Sequence, residues 1–446
     1  MYRITFPAPG VSKEPAASAW PVTCSRYRVR VTRWVAALGV VVCGGVMPSS
    51  VVAQQPATGP AARQSAGIFH EPKALQKAAA LAEKRTGNDD APNDGFFLES
   101  GGMITGAGWI SLGPGYRHRV FANRAVVTTS AAMSWRFYNM AQASIDTPEG
   151  RPWSVGAGVL YQDALQVNYF GLGHETALDD RSGYRLQSTD IEGHAAMTRG
   201  PFTLRGRLGW IPQLAVRTMA GRRPDYPDTH DLFTDDTAPG LDAQPSFAHA
   251  DLLATYDVRD VPGHPSSGGA YTVSLSHYRD LDLAQYSFRS LQLEAVHYLP
   301  LWSSRWVLAG RAWGVFTGTG DGQTVPFYLM PNTGGRSTIR GYRDFRFSGP
   351  HMEVFSAESR WALFEHVDAA LFVDAGRVAS RVADLGFNGL AHATGAGIRF
   401  HTSKSTLARL DLAKSNEGWV LTFKMNDPFR RKTLTADLPP TVPFVP

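Results

Sequence analysis

A glycine-rich segment at residues 334–343 carries three arginines between stretches that are typical of membrane strands. A guanidinium group inside a membrane protein is costly unless it faces water or a charged partner. Arg340 therefore requires a carboxylate, and the sequence offers Asp374 as the first candidate and Glu358 as the second. The chemistry that this pattern indicates is charge neutralisation. The alternative, for either motif alone, is an ordinary loop arginine and an unrelated surface acid.

The segments that must position these residues alternate between apolar and polar side chains for about 10 residues at a time. Examples are Trp153–Tyr161, Thr203–Trp210 and Tyr271–Ser276. No apolar run in residues 95–429 is long enough for a spanning helix. Strands with this alternation place one face against lipid and the other against a polar lumen.

These features predict an all-β fold, a transmembrane antiparallel β-barrel that occupies residues 95–429. At roughly 21 residues per strand and connection, this length accommodates about 16 strands, and barrels of this class are even-numbered. A soluble β-sandwich or propeller is the alternative. The apolar leader, the aromatic strand ends and the amphipathic last strand argue against it.

Three motifs occur in a fixed order: Gly-Gly-x-x-x-Ile-Arg-Gly-Tyr at 334–342, a strand with Glu358, and Phe-x-Asp-x-Gly at 372–376. Together they resemble the barrel domain of the BamA/TamA outer-membrane assembly superfamily, also called bacterial surface antigen. The resemblance implies 16 strands and a long loop that folds back into the barrel, where its Arg-Gly-Tyr tip docks on an acid of the inner wall. The residues implied in this docking are Arg340, Gly341, Tyr342, Glu358, Asp374 and Gly376.

The first 53 residues have the features of a cleaved signal peptide. A basic stretch from Arg26 to Arg33 precedes the apolar run Trp34–Met47, and Ala53 ends a small-residue cleavage site. The run is shorter than the roughly 20 residues that span a bilayer. Both cysteines of the chain, at 24 and 43, lie in this region. The exported protein is therefore expected to lack thiol chemistry.

Residues 54–94 are predicted to form a periplasmic linker or a short helix near Pro72–Arg85. Relatives in the assembly superfamily usually carry periplasmic transport modules at this position, and this stretch is too short to hold one. Residues 430–446 are predicted to be a C-terminal tail that is periplasmic or tucked into the pore. Its basic and proline residues exclude a strand.

The last strand resembles the terminal signal that the general barrel-assembly machinery reads. Between Glu417 and Asn426 apolar and polar residues alternate, so that one face is predicted to meet lipid. In outer-membrane barrels an aromatic residue ends this strand. The residues assigned to the signal are Trp419, Leu421, Phe423 and Phe429.

A second charged motif, at residues 256–269, has the composition of a strand end, a tight turn and a strand start. It also resembles a periplasmic turn of the same superfamily. Asp257, Arg259 and Asp260 are interpreted as charges that fix the turn.

The sequence gives no positive indication of an enzyme, a cofactor or a metal site. It contains neither a Gly-x-Ser-x-Gly nor a His-Glu-x-x-His motif. An outer-membrane hydrolase remains an alternative, since barrels of that kind use histidines, here His174, His194, His249 or His297. The net charge of +5 comes from scattered basic residues, so nucleic acid is not an expected partner.

The predicted function is the insertion of proteins into the outer membrane, or their translocation across it. The expected partners are membrane lipid and unfolded outer-membrane or secreted client proteins. The first and last strands would pair weakly and open a lateral seam for a client strand. A passive pore or channel on the same scaffold is the alternative.

Overall fold

In the part of the chain that the structure describes, one antiparallel sheet of sixteen strands accounts for the amphipathic segments, and each of its strands pairs with the sheet's next strand along the chain. The all-β fold and the number of strands predicted from the sequence are thereby confirmed. Two further strands of two residues each, β12 and β13, pair with one another inside the long β11–β14 connection. The strands are β1 Gly95–Ser100, β2 Ser111–Val120, β3 Ala125–Ser134, β4 Asn139–Asp146, β5 Trp153–Tyr169, β6 Ser182–Arg199, β7 Phe202–Arg217, β8 Phe247–Asp257, β9 Gly268–Asp280, β10 Phe288–Leu301, β11 Ser303–Thr319, β12 Asn332–Thr333, β13 Phe347–Ser348, β14 His351–Phe364, β15 Val367–Ala379, β16 Ala391–His401, β17 Thr406–Ser415 and β18 Gly418–Lys424.

The computed structural model describes residues 67–86, 94–100, 111–148, 150–221, 225–425 and 427–429. The predicted signal peptide, both cysteines and the tail at 430–446 lie outside the described residues, as does much of the predicted linker. Two α-helices are present in the described part, α1 at Lys73–Thr86 and α2 at Thr229–Leu232. Neither helix has the length and apolar character needed to cross a bilayer.

Side chains alternate between the two faces of the sheet, as β15 illustrates. Leu371 and Val373 are 54% and 43% exposed, whereas Phe372 and Asp374 between and beside them are buried. Because neighbouring strand residues point to opposite faces, the apolar residues meet lipid and the charged residue faces inward. The inward faces of β14–β18 are called the inner wall below.

The connection between β11 and β14, residues 320–350, folds inward and is called the crossing loop. Its first half packs Phe327 and Tyr328 into a buried cluster with residues of β4–β10 such as Leu186. Its second half packs Ile339 and Tyr342 into a separate cluster with β11 and β14–β16. The inward-folded loop predicted from the sequence is confirmed, and each half covers a different arc of the sheet.

The end of the sheet at which β1 begins and β18 ends is called the terminal end. Here the segment before α1 lies against the β14–β15 turn, where the backbone N–H of Phe69 donates to Leu363 O at 2.8 Å. Glu71 is buried and accepts from His366 N and Nδ1 at 3.1 and 2.9 Å. Within a residue at each end, α1 matches the helix that the sequence placed at Pro72–Arg85.

The two outermost strands are short: β1 has 6 residues and β18 has 7, whereas β5, β6 and β11 have 17, 18 and 17. Among the residues that the structure describes, no ladder of hydrogen bonds joins β1 to β18. A short strand offers few backbone hydrogen bonds, so each of these two edges is joined to its neighbour by fewer paired residues than the long strands are.

Candidate functional site

Glycines shape the tip of the crossing loop. Gly335 has φ +93, and a Cβ there would lie 2.2 Å from Asp344 Oδ1, so this turn accepts no other residue without strain. At Gly341, a Cβ would lie 2.6 Å from the Cβ of Ala393 on β16. The Gly341 carbonyl also accepts a hydrogen bond of 2.7 Å from Ser415 Oγ on β17. The backbone of the tip therefore lies directly against the inner wall.

Arg340 extends from this tip into a buried pair of carboxylates. Its Nε and Nη2 donate to Asp374 Oδ2 and Oδ1 at 2.7 and 2.9 Å, and its backbone N–H donates to the same carboxylate at 3.2 Å. Its Nη1 donates to Glu358 Oε2 at 2.6 Å. The structure thus brings Arg340 against both acids considered from the sequence, and all three side chains are at most 2% exposed.

The aromatic ring of Phe372 also contacts the side chain of Arg340. The guanidinium carbon lies 3.5 Å from the ring centroid, a cation–π contact within a desolvated site. On β16, a Cβ at Gly395 would lie 2.4 Å from that ring, so the glycine leaves the space that Phe372 fills. Gly376, two residues beyond Asp374, brings β15 close to β14, since a Cβ there would lie 2.6 Å from Glu353 O.

Three more arginines and two more acids of the barrel extend the pairing along the inner wall. Arg399 of β16 donates to Glu358 Oε2 at 2.9 Å and also to Asp411 of β17. Arg360 of β14 donates to Glu358 Oε1 at 2.8 Å. The complete set, called the Arg340 network, comprises Arg340, Arg360, Arg399, Arg409, Glu358, Asp374, Asp411 and Asp427.

The charges of the Arg340 network balance. The barrel strands and the residues after β18 supply three guanidinium groups against four carboxylates. The crossing loop supplies the fourth guanidinium through Arg340. Because a buried unpaired charge is costly, an inner wall without the loop would retain one uncompensated carboxylate. Docking of the loop and burial of this wall are therefore linked electrostatically.

Further contacts tie the crossing loop to strands on both sides of this network. Arg346 donates to Glu417 Oε1 at 2.6 Å, and Tyr342 Oη donates to Asn416 Oδ1 at 2.7 Å. The carbonyl of Ser337 accepts from Arg311 Nη1 at 2.7 Å, and the hydroxyl of Ser337 accepts from Lys424 on β18. The loop thus reaches from β11 to the last strand of the sheet.

In the predicted charged turn, the charged side chains bond to one another and to the backbone of the turn. Arg259 donates from Nε and Nη2 to Asp257 at 2.9 and 2.6 Å. Asp260 Oδ1 accepts from the backbone N–H groups of Val261 and Ser266 at 2.8 and 2.9 Å. Burial by itself raises the pKa of Asp260, but these bonds and that of the Ser266 hydroxyl outweigh it and lower the pKa below 3.8.

In the structure, Phe429 does not lie with the exposed residues of the last strand. Trp419 and Leu421 are 64% and 54% exposed and Phe423 is half-buried, whereas Thr422 between them is buried. However, β18 ends at Lys424, and Phe429 is buried in a cluster with inward residues of β10 and β11, near the ring of Tyr298. Phe429 therefore does not continue the lipid-facing row, because the chain turns inward after β18.

Two histidines that were considered for catalysis are paired with acids. His194 Nε2 lies 3.0 Å from Asp146 Oδ1. His249 Nε2 and Nδ1 lie 3.0 and 2.9 Å from Asp190 and Asp251. A ring with a carboxylate at both nitrogens cannot also accept a proton from a nucleophile. His249 is thus placed for charge pairing.

The other two histidines lie apart from any acid–nucleophile arrangement in the contacts that the structure shows. His297 Nδ1 is 2.8 Å from Tyr271 Oη. The ring of His174 lies 4.8 Å from that of Phe347 in the crossing loop.

The sequence motifs do not point to five members of the Arg340 network: Arg360, Arg399, Arg409, Asp411 and Asp427. The signal available for most of them was the two-residue period: Arg360 follows Glu358 at the same phase, as Asp411 follows Arg409. Charged residues in the inward phase of a membrane strand predict a paired or wet interior. Which of them pair with each other depends on strand register, which the period does not specify.

Comparison with known proteins agrees with the fold. The model of the Omp85 superfamily domain matches residues 150–419, which is more than half of the chain. BamA from Haemophilus ducreyi lacking POTRA domains 1-3 is a similar solved structure, with a TM-score of 0.55, 15% identity, and 75% of this chain and 69% of that chain covered. CdiB from Escherichia coli has a TM-score of 0.46 and 14% identity, with 74% and 61% covered.

No curated protein matches the sequence. The resemblance noted in the sequence is confirmed by the family match and by the BamA-like barrel. This chain belongs to the Omp85 superfamily and is an outer-membrane β-barrel of that family.

Proposed function

We propose that this barrel helps proteins to insert into the outer membrane or to cross it. The observation that carries the proposal is the crossing loop, docked through Arg340 on the inner wall and bonded to β18 through Ser337 and Lys424. Membership of the Omp85 superfamily supports it. The partners would be outer-membrane lipid and unfolded outer-membrane or secreted clients. The chain itself would be exported by its signal peptide and inserted by the general barrel-assembly machinery.

The proposed mechanism uses the two weak edges of the sheet. Unpaired N–H and C=O groups on β1 and β18 form a template to which an extended client segment adds as a strand. Opening such an edge removes support from the neighbouring strands. The Arg340 network braces β14–β17 beside the edge, so these strands keep their positions while β1 and β18 part.

This mechanism requires no catalytic group. Each guanidinium group of the Arg340 network forms an ion pair with a carboxylate of the network, and an arginine side chain stays protonated in proteins. The role proposed for Arg340, Glu358 and Asp374 is therefore positional. The absence of enzymatic activity remains a prediction.

Reconstitution with a client tests the proposal. The purified barrel is incorporated into lipid vesicles, a urea-unfolded outer-membrane barrel is added, and its folded fraction is followed by the mobility shift between heated and unheated samples. We expect faster client folding than in vesicles of lipid alone. We also expect Arg340→Ala to lower this rate, whereas Arg381→Ala, in an exposed pair with Asp384, leaves it unchanged.

Client folding that is no faster with the wild-type barrel than with lipid alone would exclude the insertion role. A large steady conductance of the same protein in planar bilayers, without client acceleration, would then favour a passive pore. A barrel that releases lipid hydrolysis products in the same vesicles would favour the hydrolase alternative instead.

A further inference from the structure

A groove with a volume of about 1320 Å³ crosses the lipid-facing surface of β5–β11 and is called the outer groove below. It follows one row of directly paired residues, from Val155 on β5 through Gly206 on β7 and Leu275 on β9 to Phe316 on β11. Adjacent strands lie about 4.8 Å apart, so a row across these strands is roughly 29 Å long. That length is sufficient for an extended hydrocarbon chain.

The outer groove is deepest where its side chains are small. Gly206 pairs with Ala195 of β6, and a Cβ at Gly206 would have only Asp251 O, at 3.9 Å, within 4 Å. Leu208 and Leu252 beside it are 69% and 46% exposed. No close packing within the protein requires a glycine at position 206. The space above it is therefore open to a molecule from outside the chain.

Three basic side chains lie at one end of the outer groove. His277 and Arg289 line it, and Arg279 follows His277 on the same face of β9. Arg289 of β10 lies directly opposite His277, which makes Arg279 its diagonal neighbour at about 7–8 Å. All three are exposed, and within the described part of the chain their side chains form no hydrogen bond or ion pair. Like charges so close on one face are destabilising unless an anion joins them.

These basic residues lie at the end of the sheet opposite the terminal end. The long connections are found there, at 170–181, 218–246 and 320–350, whereas turns at the terminal end, such as 200–201 and 365–366, are short. In outer-membrane barrels the longer loops are extracellular and the short turns are periplasmic. A charged side chain on the lipid face is also least costly near the membrane–water interface. The basic end of the outer groove therefore meets the headgroups of the outer leaflet.

We propose that the outer groove binds a phosphate-bearing lipid of the outer leaflet. Arg279 and Arg289 would bind its phosphates, since a guanidinium group presents paired N–H donors to phosphate oxygens. His277 would add an N–H donor. An acyl chain would lie along the apolar row from Leu291 to Gly206. The inference rests on the position of the barrel in the outer membrane and is independent of the insertion role.

The two parts of the outer groove have different tasks. Lipid tails are as apolar as leucine, so the apolar row alone does not select one lipid from another. The arginines supply that selectivity, because they favour a headgroup with negative charge. The apolar row, which includes Leu275 and Phe316, in turn distinguishes a lipid from a free anion, because an anion alone would leave this row uncovered.

The experiment uses the full barrel in neutral detergent, with native mass spectrometry as the measure of bound lipid. The probes are lipid A, a glycolipid with two phosphates, and its dephosphorylated form. We expect the wild type to retain lipid A only. Arg279→Gln combined with Arg289→Gln should weaken this binding about 25-fold, since each arginine near an anionic lipid surface contributes about fivefold. The control Arg381→Gln changes an arginine that is 78% exposed at the same end of the barrel and should bind as the wild type does.

A second pair of variants tests the apolar part. Gly206→Leu fills the groove and should weaken binding of lipid A while the arginines remain. Gly310→Leu is the matched control, because Gly310 also lies on the lipid face, does not line the outer groove, and has no atom within 4 Å of a Cβ built there. Excess inorganic phosphate should leave the bound lipid in place.

Four outcomes would overturn the proposal. Equal retention of the two lipid forms by the wild type would exclude the phosphate contact. Unchanged binding in the double arginine variant, shown to be folded by its gel mobility shift, would exclude these residues. Displacement by inorganic phosphate would indicate a site for free anions, and unchanged binding in Gly206→Leu would remove the groove from the site. If a variant fails to fold, the wild-type comparison of the two lipid forms still decides.

Discussion

The Arg340–Asp374 pair permits a quantitative test by a double-mutant cycle of Arg340→Ala, Asp374→Ala and the double variant. Arg340→Ala removes both guanidinium bonds from Asp374 and leaves it only the backbone N–H of residue 340. Glu358 keeps its bonds with Arg360 and Arg399. The mutation therefore leaves the buried carboxylate of Asp374 without a cationic partner.

The expected loss of unfolding free energy follows from this one unpaired charge. Breaking a buried ion pair by removing one partner typically costs about 3–5 kcal/mol of unfolding free energy. Asp374→Ala should lie at or below the lower end of this range, because Arg340 retains Glu358. The double variant leaves neither partner uncompensated. Its loss should be smaller than the sum of the single losses by about 2 kcal/mol, within the range for residues in direct contact.

The assay is equilibrium unfolding in urea from lipid vesicles or detergent, followed by tryptophan fluorescence and by the gel mobility shift. Arg381→Ala serves as the matched control. It removes an arginine–aspartate pair of similar geometry whose arginine side chain is 78% exposed, so no measurable loss is expected. The same loss in Arg381→Ala and Arg340→Ala would indicate a general effect of arginine removal.

Two results would refute the reasoning about this site. Single losses of Arg340→Ala and Asp374→Ala that add fully in the double variant would show that the pair is not energetically coupled. A loss for Arg340→Ala as small as that of an exposed pair would show that water fills the inner wall and screens these charges. Either result would remove the electrostatic link between docking of the crossing loop and burial of the wall.

Three further outcomes are expected. Gly341→Ala should lower the unfolding free energy by about 1–3 kcal/mol, because a Cβ there meets β16. The control Gly310→Ala should not lower it, because a Cβ there has no atom within 4 Å. Equal urea midpoints for the two variants would contradict the close approach of Gly341 to β16. The pKa of Asp260 is lower in the fold than its ordinary 3.8, so its stabilisation is present above that value and is lost as pH falls through the lower, folded pKa. Asp260→Asn should therefore flatten the acid limb of a midpoint-against-pH curve, and an unchanged limb would exclude Asp260 as its source. Glu71→Ala should speed hydrogen exchange in residues 67–72, because it removes both bonds to His366; unchanged exchange there would show that the α1 segment is held by other contacts.

Much of the fold could be predicted from local pattern. The two-residue alternation identifies strands and their lipid face without any knowledge of neighbours, because successive side chains in a strand point to opposite sides. Trp419 and Leu421 were assigned to lipid in this way, and both are exposed. The positions of Arg340 and Asp374 came from motifs in a fixed order. That information is contained in the residues themselves.

Other features depend on how distant parts of the chain meet. Phe429 follows the amphipathic last strand in sequence and was assigned to its terminal signal, yet it lies inward in a buried cluster with residues of β10 and β11. Arg399 and Asp411 pair because the register of β16 against β17 places Asp411 opposite Gly397, whose missing side chain leaves room for the guanidinium. A shift of β17 by one residue would turn Asp411 to lipid and leave Arg399 without this partner.

The amino-acid sequence thus determined the sheet and its lipid face, since both follow from residue type and short-range period, and its family motifs pointed to Asp374 and Glu358 as the acids for the loop arginine. Only the tertiary structure decided which charges share the inner wall and that Arg289 lies opposite His277 at one end of the outer groove. Those two residues belong to different strands, and the local period places each side chain on the lipid face without specifying its neighbour. Their approach depends on how the strands align, and no local period encodes that alignment.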